Sequence, residues 1–164
     1  MSLHELTRDL HHACERHPFG ARMAEANITR QEWADWLWAL KVLHCLVDLT
    51  LPPHMARDRL LEADLSVLPV PHSSFAALSG AIHLDGPDTL GAAYVLHGAH
   101  GSGGRVMAPR LAKRGLPVAH VAYSNPEGVQ AWIRHARNQS GAADQARDTF
   151  GILLKVMDEI EGRK

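Results

Sequence analysis

Apolar residues recur every three or four positions through most of the chain, which is the spacing of amphipathic helices. The first such stretch covers residues 2–16. A second opens at Thr29, where Glu32 three residues later completes a capping box. This second helix is expected over about 30–50, because two consecutive prolines follow it and block its continuation. No segment alternates with a period of two, so the pattern predicts an all-α, multi-helix fold.

The remaining apolar stretches predict further helices separated by turns. We expect them over residues 55–67, 73–83, 88–114, 126–138 and 141–161. The helix over 88–114 contains four closely spaced glycines and Pro109, so it should be kinked, and Gly115 should end it. A turn is expected over 19–26, because a proline and a glycine interrupt the pattern there.

Length and composition are those of an ordinary globular protein. With 164 residues and no internal repeat, the chain is expected to form a single domain over 1–164. A net charge of −1 gives no reason to expect a nucleic-acid or membrane partner. No apolar run is long enough to span a membrane and no signal-peptide core is present, so we expect a cytoplasmic protein. Cys14 and Cys45 lack a CxxC spacing and are expected to be reduced and buried.

Two segments about eighty residues apart carry the candidate chemistry, in a chain unusually rich in histidine, with twelve. In the first, His11 lies beside the apolar face of a helix, and Glu15 one turn later can orient its imidazole. In the second, four glycines fall within residues 98–104, although each costs about 0.5–1 kcal/mol relative to alanine inside a helix. A flat cofactor held between an imidazole and bare backbone needs these two elements, which suggests heme. A boundary histidine and a loop between two shorter helices remain open as alternatives.

Other polar residues could contribute to such a site. His97 and His100, three residues apart, could form half of a metal site, or one of them could face a heme iron opposite the first-helix histidine. Tyr94 could bond a cofactor carboxylate, and Arg134 and Arg137 could pair with carboxylates. The alternatives are polar lining for the histidines, core packing for the tyrosine and a solvated charged face for the arginines.

Taken together, these segments resemble the heme oxygenase family, and in particular its short bacterial members that make biliverdin. The opening pattern L-x-E-x-T-[KR]-x-[LV]-H-x-x-x-E is present from Leu3 to Glu15. The pattern G-x-x-Y-V-L-x-G…S-G-G is present from Gly91 to Gly104. Further likeness lies in the run from Arg59 to Leu65 and in the regions of Trp132 and Phe150.

The resemblance implies a heme site between the first helix and the glycine-kinked distal helix. It places the iron ligand at His11 and a supporting carboxylate at Glu15. The residues implied around the oxygen pocket are Gly98, His100, Ser102 and Gly103. The residues implied in contact with heme or its propionates are His4, Arg8, Tyr94, His97, Gly104, Arg134 and Arg137.

The resemblance also implies a reaction, in which heme is both cofactor and substrate. Heme is cleaved with O₂ and external electrons to biliverdin, CO and ferrous iron. The implied electron donor is a ferredoxin or a flavoprotein reductase, and a bilin-accepting phytochrome is a partner to consider.

The chain departs from the family pattern at three histidines. His4 stands where Lys or Arg usually meets a propionate. Bacterial members tend to have Glu-Gly-Ser where this chain has His97-Gly98-Ala99. In one alignment His100 takes the position of an aspartate of animal members; in another, the chain is one residue longer before the glycine pair. A distal histidine that ligated the iron would give a non-catalytic sensor or carrier with two histidine ligands. A helical interaction module without cofactor is the third hypothesis.

Overall fold

A computed structural model describes all residues, 1–164, as helices joined by short turns and loops, with no strand. The nine α-helices are α1 (Leu3–Arg16), α2 (Pro18–Ala24), α3 (Arg30–Val47), α4 (Asp58–Ser66), α5 (Ala76–Ser79), α6 (Leu90–Ala99), α7 (Arg105–Lys113), α8 (Pro126–Arg137) and α9 (Ala143–Gly162). The prediction of an all-α fold is confirmed.

The predicted start of α3 is confirmed in atomic detail. The backbone N–H of Glu32 donates to the Thr29 hydroxyl at 3.1 Å, and the backbone N–H of Thr29 donates to the Glu32 carboxylate at 2.8 Å. The helix ends at Val47 and continues as a 3₁₀ turn over Asp48–Thr50, just before the two prolines. A second capping box, between Ser2 and Glu5, opens α1.

The turn predicted over 19–26 is wrong, because Pro18 begins a helix instead of preventing one. Proline is tolerated in the first turn of a helix, where its missing N–H has no intrahelical partner to lose. His17 caps the helix by accepting a hydrogen bond from the backbone N–H of Phe19. A side chain at Gly20 would place its Cβ 2.1 Å from the carbonyl oxygen of Cys14, so glycine permits the tight corner between α1 and α2.

The long kinked helix predicted over 88–114 is divided in the structure. Between α6 and α7, residues His100–Gly104 form a π-helical turn, which we call the π turn. A π turn holds one more residue than an α-helical turn would, and such turns interrupt a helix without ending it. Gly115, at φ +71°, ends the element as predicted. The helix predicted over 73–83 is the short α5 followed by a 3₁₀ turn over Gly80–Leu84.

Helix α9 organises the core, since α1, α2, α3, α5 and α6 all pack against it. Trp33 and Trp36 of α3 are buried in this core. Cys14 is half-buried, but Cys45 is exposed on the outer face of α3, so the expectation that both thiols are buried is wrong. None of the helices combines the length and the apolar character that a membrane crossing demands.

Candidate functional site

His11 projects from the outer side of α1, while Leu3 and Thr7 of the same helix are buried. Half of the His11 side chain is exposed, and its ring meets the edge of Phe150 of α9 at 6.2 Å between centroids. Its Nδ1 lies 3.7 Å from a Glu15 carboxylate oxygen, which suits an ion pair but is too long for a hydrogen bond. Its Nε2 makes no hydrogen bond, so this nitrogen is available to a ligand.

Arg147 fixes α1 against α9 one turn before His11. Its guanidinium donates to the Leu6 carbonyl at 2.7 Å and to both Asp9 carboxylate oxygens, at 2.8 and 3.0 Å. The hydrogen bonds from Arg147 lower the pKa of Asp9 to about 2, so the pair stays ionised at neutral pH. The helix that carries His11 is therefore linked to α9 by hydrogen bonds and an ion pair, about one turn before the imidazole.

The glycines of the distal segment divide into two groups. A Cβ at Gly91 would lie 2.4 Å from the carbonyl oxygen of Ala142, so this glycine allows α6 to pack closely on α9. A Cβ at Gly101 or Gly104 would lie 3.0–3.1 Å from a neighbouring side chain. Around Gly98 and Gly103, by contrast, no atom lies within 4 Å of the Cβ position. These two glycines expose bare backbone to open space, which a flat ligand could approach.

Arg137 of α8 acts electrostatically on Tyr94 of α6 and on Glu5 of α1. Burial raises the pKa of the half-buried Tyr94, and the charge of Arg137 opposes that rise. Arg137 also acts on Glu5, whose pKa is lowered mainly by hydrogen bonds from Ser2. The Arg137 guanidinium therefore lies within electrostatic range both of Tyr94 and of the helix that carries the candidate ligand.

The other expected contact residues lie on the surface. Exposed side chains without a hydrogen-bond partner are found at His4, Arg8, Ser102 and Arg134. They are free to contact a bound group, and nothing in the fold directs them toward one.

His97, near the end of α6, and His100, the first residue of the π turn, do not face open space as two of the distal glycines do. Both are buried, with 0% and 3% of their surface exposed. His97 Nδ1 lies 2.7 Å from the Tyr123 hydroxyl, and its Nε2 lies 2.8 Å from Asp48 Oδ1. With both nitrogens engaged inside the core, His97 has none left for a heme iron.

These histidines belong to a continuous buried chain of five side chains, which we call the histidine network. From Tyr123 and His97 it passes through Asp48 to His44, whose Nδ1 lies 2.9 Å from Asp48 Oδ2, and from His44 Nε2 to His100 Nε2 at 2.8 Å. Burial lowers the pKa of His44 to about 4 and that of His100 well below its ordinary value. Burial would raise the pKa of Asp48, but hydrogen bonds from the two histidines outweigh it and lower the pKa. The network therefore holds one carboxylate, with His44 and His100 as neutral imidazoles.

The proton positions in this network follow from the carboxylate, which can only accept. His44 Nδ1 and His97 Nε2 must each donate to Asp48, so the opposite nitrogen of each ring accepts. Tyr123 then donates to His97, and His100 donates through Nε2 to His44. Burial raises the pKa of Tyr123, which keeps it protonated for this role.

Sequence reasoning did not identify Asp48, His44 or Tyr123 as partners of the distal histidines. The spacing of His44 and Asp48, four residues apart on one helix face, was visible as a local signal. Their meeting with α6 depends on how α3 and α6 pack, which the spacing alone does not reveal.

The fold was compared with known proteins. No family model matches the sequence, and no curated protein matches it. Among solved structures, heme oxygenase-1 from the cyanobacterium Synechocystis sp., in complex with heme, superposes with a TM-score of 0.79 at 17% identity, covering 98% of this chain and 91% of that one. A heme oxygenase from Leptospira interrogans superposes with a TM-score of 0.76 at 15% identity, covering 96% and 97%. The protein has the heme oxygenase fold.

Within the heme oxygenase fold, the residues present fit a heme. His11 offers a free imidazole nitrogen, Gly98 and Gly103 offer backbone with open space above it, and Arg137 offers a cation near Tyr94. A separate cleft of about 520 Å³ lies beside the π turn, among Arg105 and residues 118–130. His11 does not line that cleft, so we do not assign it to heme.

Proposed function

We propose that this protein is a heme oxygenase, which cleaves heme to biliverdin, CO and ferrous iron with O₂ and external electrons. The observation that carries the proposal is the free Nε2 of His11, on a helix tied to the core by Arg147, in the heme oxygenase fold. The open space above Gly98 and Gly103 supports it from the distal side.

In this proposal His11 is the protein ligand to the heme iron. Glu15, 3.7 Å from His11 Nδ1, closes to a hydrogen bond that orients the ring and makes it a stronger ligand. Arg137 and Tyr94 meet the propionates, because a guanidinium and a phenol both donate to carboxylates. The exposed side chains of His4, Arg8 and Arg134 add further propionate contacts.

The bound heme supplies a redox-active iron and is itself the molecule that is cleaved. The chain's own part on the distal side is to leave space and to order water. Gly98 and Gly103 allow the backbone to approach the ligand plane, Gly104 next to them keeps the π turn close to Val121, and the exposed Ser102 hydroxyl can hold a water molecule. His100 is the first residue of the π turn, and its hydrogen bond to His44 holds this turn in place.

The reaction consumes electrons, so the proposal includes a protein donor, either a ferredoxin or a flavoprotein reductase. The product is a linear tetrapyrrole, and a phytochrome that accepts bilins is the proposed downstream partner. The reaction requires an electron source, and the resemblance to heme oxygenases suggests the identity of both partners.

The hydrogen bonding of His97 argues for this function over a carrier with two histidine ligands. Ligation by His97 would break a bond to a buried carboxylate or to Tyr123 and leave the remaining group unsatisfied, at a cost of about 1–3 kcal/mol. His11 loses no hydrogen bond when it binds iron.

The test is an absorption time course of the hemin complex in air, with ascorbate or a ferredoxin–reductase system as donor. We expect the Soret band to decay while a broad red bilin band grows, unaffected by catalase. His11→Ala should abolish the reaction, whereas His12→Ala, on the adjacent exposed position, should retain it. A Soret band that persists with low-spin features would contradict the proposal and indicate a heme carrier.

A further inference from the structure

Three side chains with metal-binding atoms converge at the C-terminal end of α3. His44 and Asp48 lie one turn apart there, and His97 reaches them from α6. The donor atoms of the three residues all lie within 4.8 Å of one another. Each imidazole directs one nitrogen at a different oxygen of the same carboxylate, at 2.9 and 2.8 Å. Two imidazoles and a carboxylate are a donor set that suits first-row transition metal ions.

We propose that His44, Asp48 and His97 form a binding site for a divalent transition metal ion of the Zn²⁺ type, separate from the proposed heme site. Zinc bonds of about 2.0–2.2 Å in a tetrahedral arrangement require donor atoms about 3.3 Å apart. Each imidazole would therefore move about half an ångström away from Asp48, and the two imidazole nitrogens, which lie within 4.8 Å of each other, would take up the same spacing, with a water molecule as the fourth ligand.

The outer nitrogens of both imidazoles already have the partners that metal-bound histidines require. The second nitrogen of a ligating histidine almost always has a hydrogen-bond partner, which fixes the ring and its proton. For His97 this partner is the Tyr123 hydroxyl at 2.7 Å, and for His44 it is His100 Nε2 at 2.8 Å. His100 is buried and Tyr123 largely so, and their positions orient both rings. When the ion binds, the protons that His44 and His97 direct at Asp48 move to the outer nitrogens, Tyr123 and His100 Nε2 accept from them, and the His100 proton moves to its other nitrogen.

The local charges select the kind of ion. The last carbonyls of α3 carry partial negative charge and favour a cation beside Asp48. Arg57 opposes this, since its backbone N–H donates to Asp48 Oδ2 at 3.0 Å and its guanidinium stacks on Tyr123 at 3.8 Å. Attraction of charge alone is therefore weak, and the affinity must come from strong bonds to nitrogen. This favours Zn²⁺ over Mg²⁺ or Ca²⁺, which prefer oxygen ligands.

The experiment measures binding of Zn²⁺ and Co²⁺ to protein stripped of metal by a chelator. It uses His11→Ala as the parent, because His11, His12 and Glu15 form a second, exposed group of potential ligands. We expect one Zn²⁺ per chain by calorimetry, and the visible d–d bands of four-coordinate Co²⁺. Asp48→Asn and His97→Gln should each weaken binding by more than the 10–100-fold, roughly, that results from losing an outer-shell partner.

His120→Gln is the matched control, because His120 is equally buried but bonds to Asp64, outside the proposed site. It should bind Zn²⁺ like the parent. Absence of one-to-one binding in the parent, or binding unchanged by both Asp48→Asn and His97→Gln, would overturn the proposal. If those variants do not fold, X-ray absorption of the zinc-loaded parent decides: two imidazoles support the site, and coordination without imidazole overturns it.

Discussion

His11 and the histidine network place the same side chain in opposite surroundings. His11 is half exposed and keeps Nε2 free, whereas His97 is fully buried and has both nitrogens engaged. A heme iron that binds His11 displaces no hydrogen bond, whereas a heme iron that bound His97 would have to break its hydrogen bond to Asp48 or to Tyr123. The comparison shows that the ability of a histidine to bind heme depends on the hydrogen bonds that its ring nitrogens already make. Its position in a motif does not reveal these hydrogen bonds.

The largest expected effect is on the free energy of unfolding, to which the two regions should contribute very differently. Asp48→Ala leaves His44 and His97 buried with no acceptor for their N–H groups, each costing about 1–3 kcal/mol. We expect a loss of about 2–5 kcal/mol in the free energy of unfolding, measured by denaturant titration with a chelator present. His11→Ala changes an exposed residue and should cost no more than about 0.5 kcal/mol. Similar losses for both variants would contradict the contrast.

The same two regions differ in how much of their structure could be predicted from the sequence. The helix of His11 and Glu15 was predicted almost to the residue, because amphipathic spacing is a local signal. The distal segment was predicted only as kinked. Its histidines were given three possible roles, as half of a metal site, as residues facing heme or as polar lining, since a motif gives the order of residues along a helix but not the direction each one faces.

The π turn accounts for part of that difference. One alignment with bacterial heme oxygenases leaves this chain one residue longer before its last glycine pair, and a π turn over His100–Gly104 accommodates an extra residue. An added residue rotates every later side chain of the helix around its axis. The direction in which a side chain of such a segment points therefore depends on which turn contains the extra residue. Packing against the neighbouring helices determines which turn this is.

A second prediction compares a glycine that packs with a glycine that faces open space. Gly91→Ala would place a Cβ 2.4 Å from the Ala142 carbonyl oxygen, so we expect a loss of stability of about 1–3 kcal/mol from overpacking. Gly98→Ala meets no atom within 4 Å and adds helix propensity, so we expect a gain of about 0.5–1 kcal/mol.

The same pair of variants also tests the proposed function. A methyl group at Gly98 would occupy the space assigned to heme, so Gly98→Ala should weaken hemin binding or slow bilin formation while it stabilises the fold. Thermal unfolding and a hemin titration measure the two effects separately. A Gly98→Ala protein that is more stable and equally active would remove Gly98 from the proposed heme contact.

The smallest expected effect concerns the ion cluster of Arg22, Glu32 and Glu161. Its burial is intermediate between that of His11 and that of the histidine network. Arg22 of α2 donates to Glu32 of α3 at 2.7 Å and to Glu161 of α9 at 2.6 Å. Burial opposes ionisation of both glutamates, but hydrogen bonds, including those from Arg22, prevail and lower their pKa values. Carboxyls with a lowered pKa in the folded state stabilise it above their unfolded pKa of about 4.3, and this contribution is lost as the pH falls below that value.

Arg22→Gln should therefore cost about 1 kcal/mol or less at pH 7, and its effect should shrink as the pH is lowered from about 5 toward 3. Denaturant unfolding of both proteins across this range measures the difference, with Arg134→Gln, an exposed arginine without a partner, as the control. A difference that stays constant with pH would assign the role of Arg22 to packing of its aliphatic stem. A cost close to that of Asp48→Ala would show that a partly buried ion cluster can stabilise this fold as strongly as the histidine network.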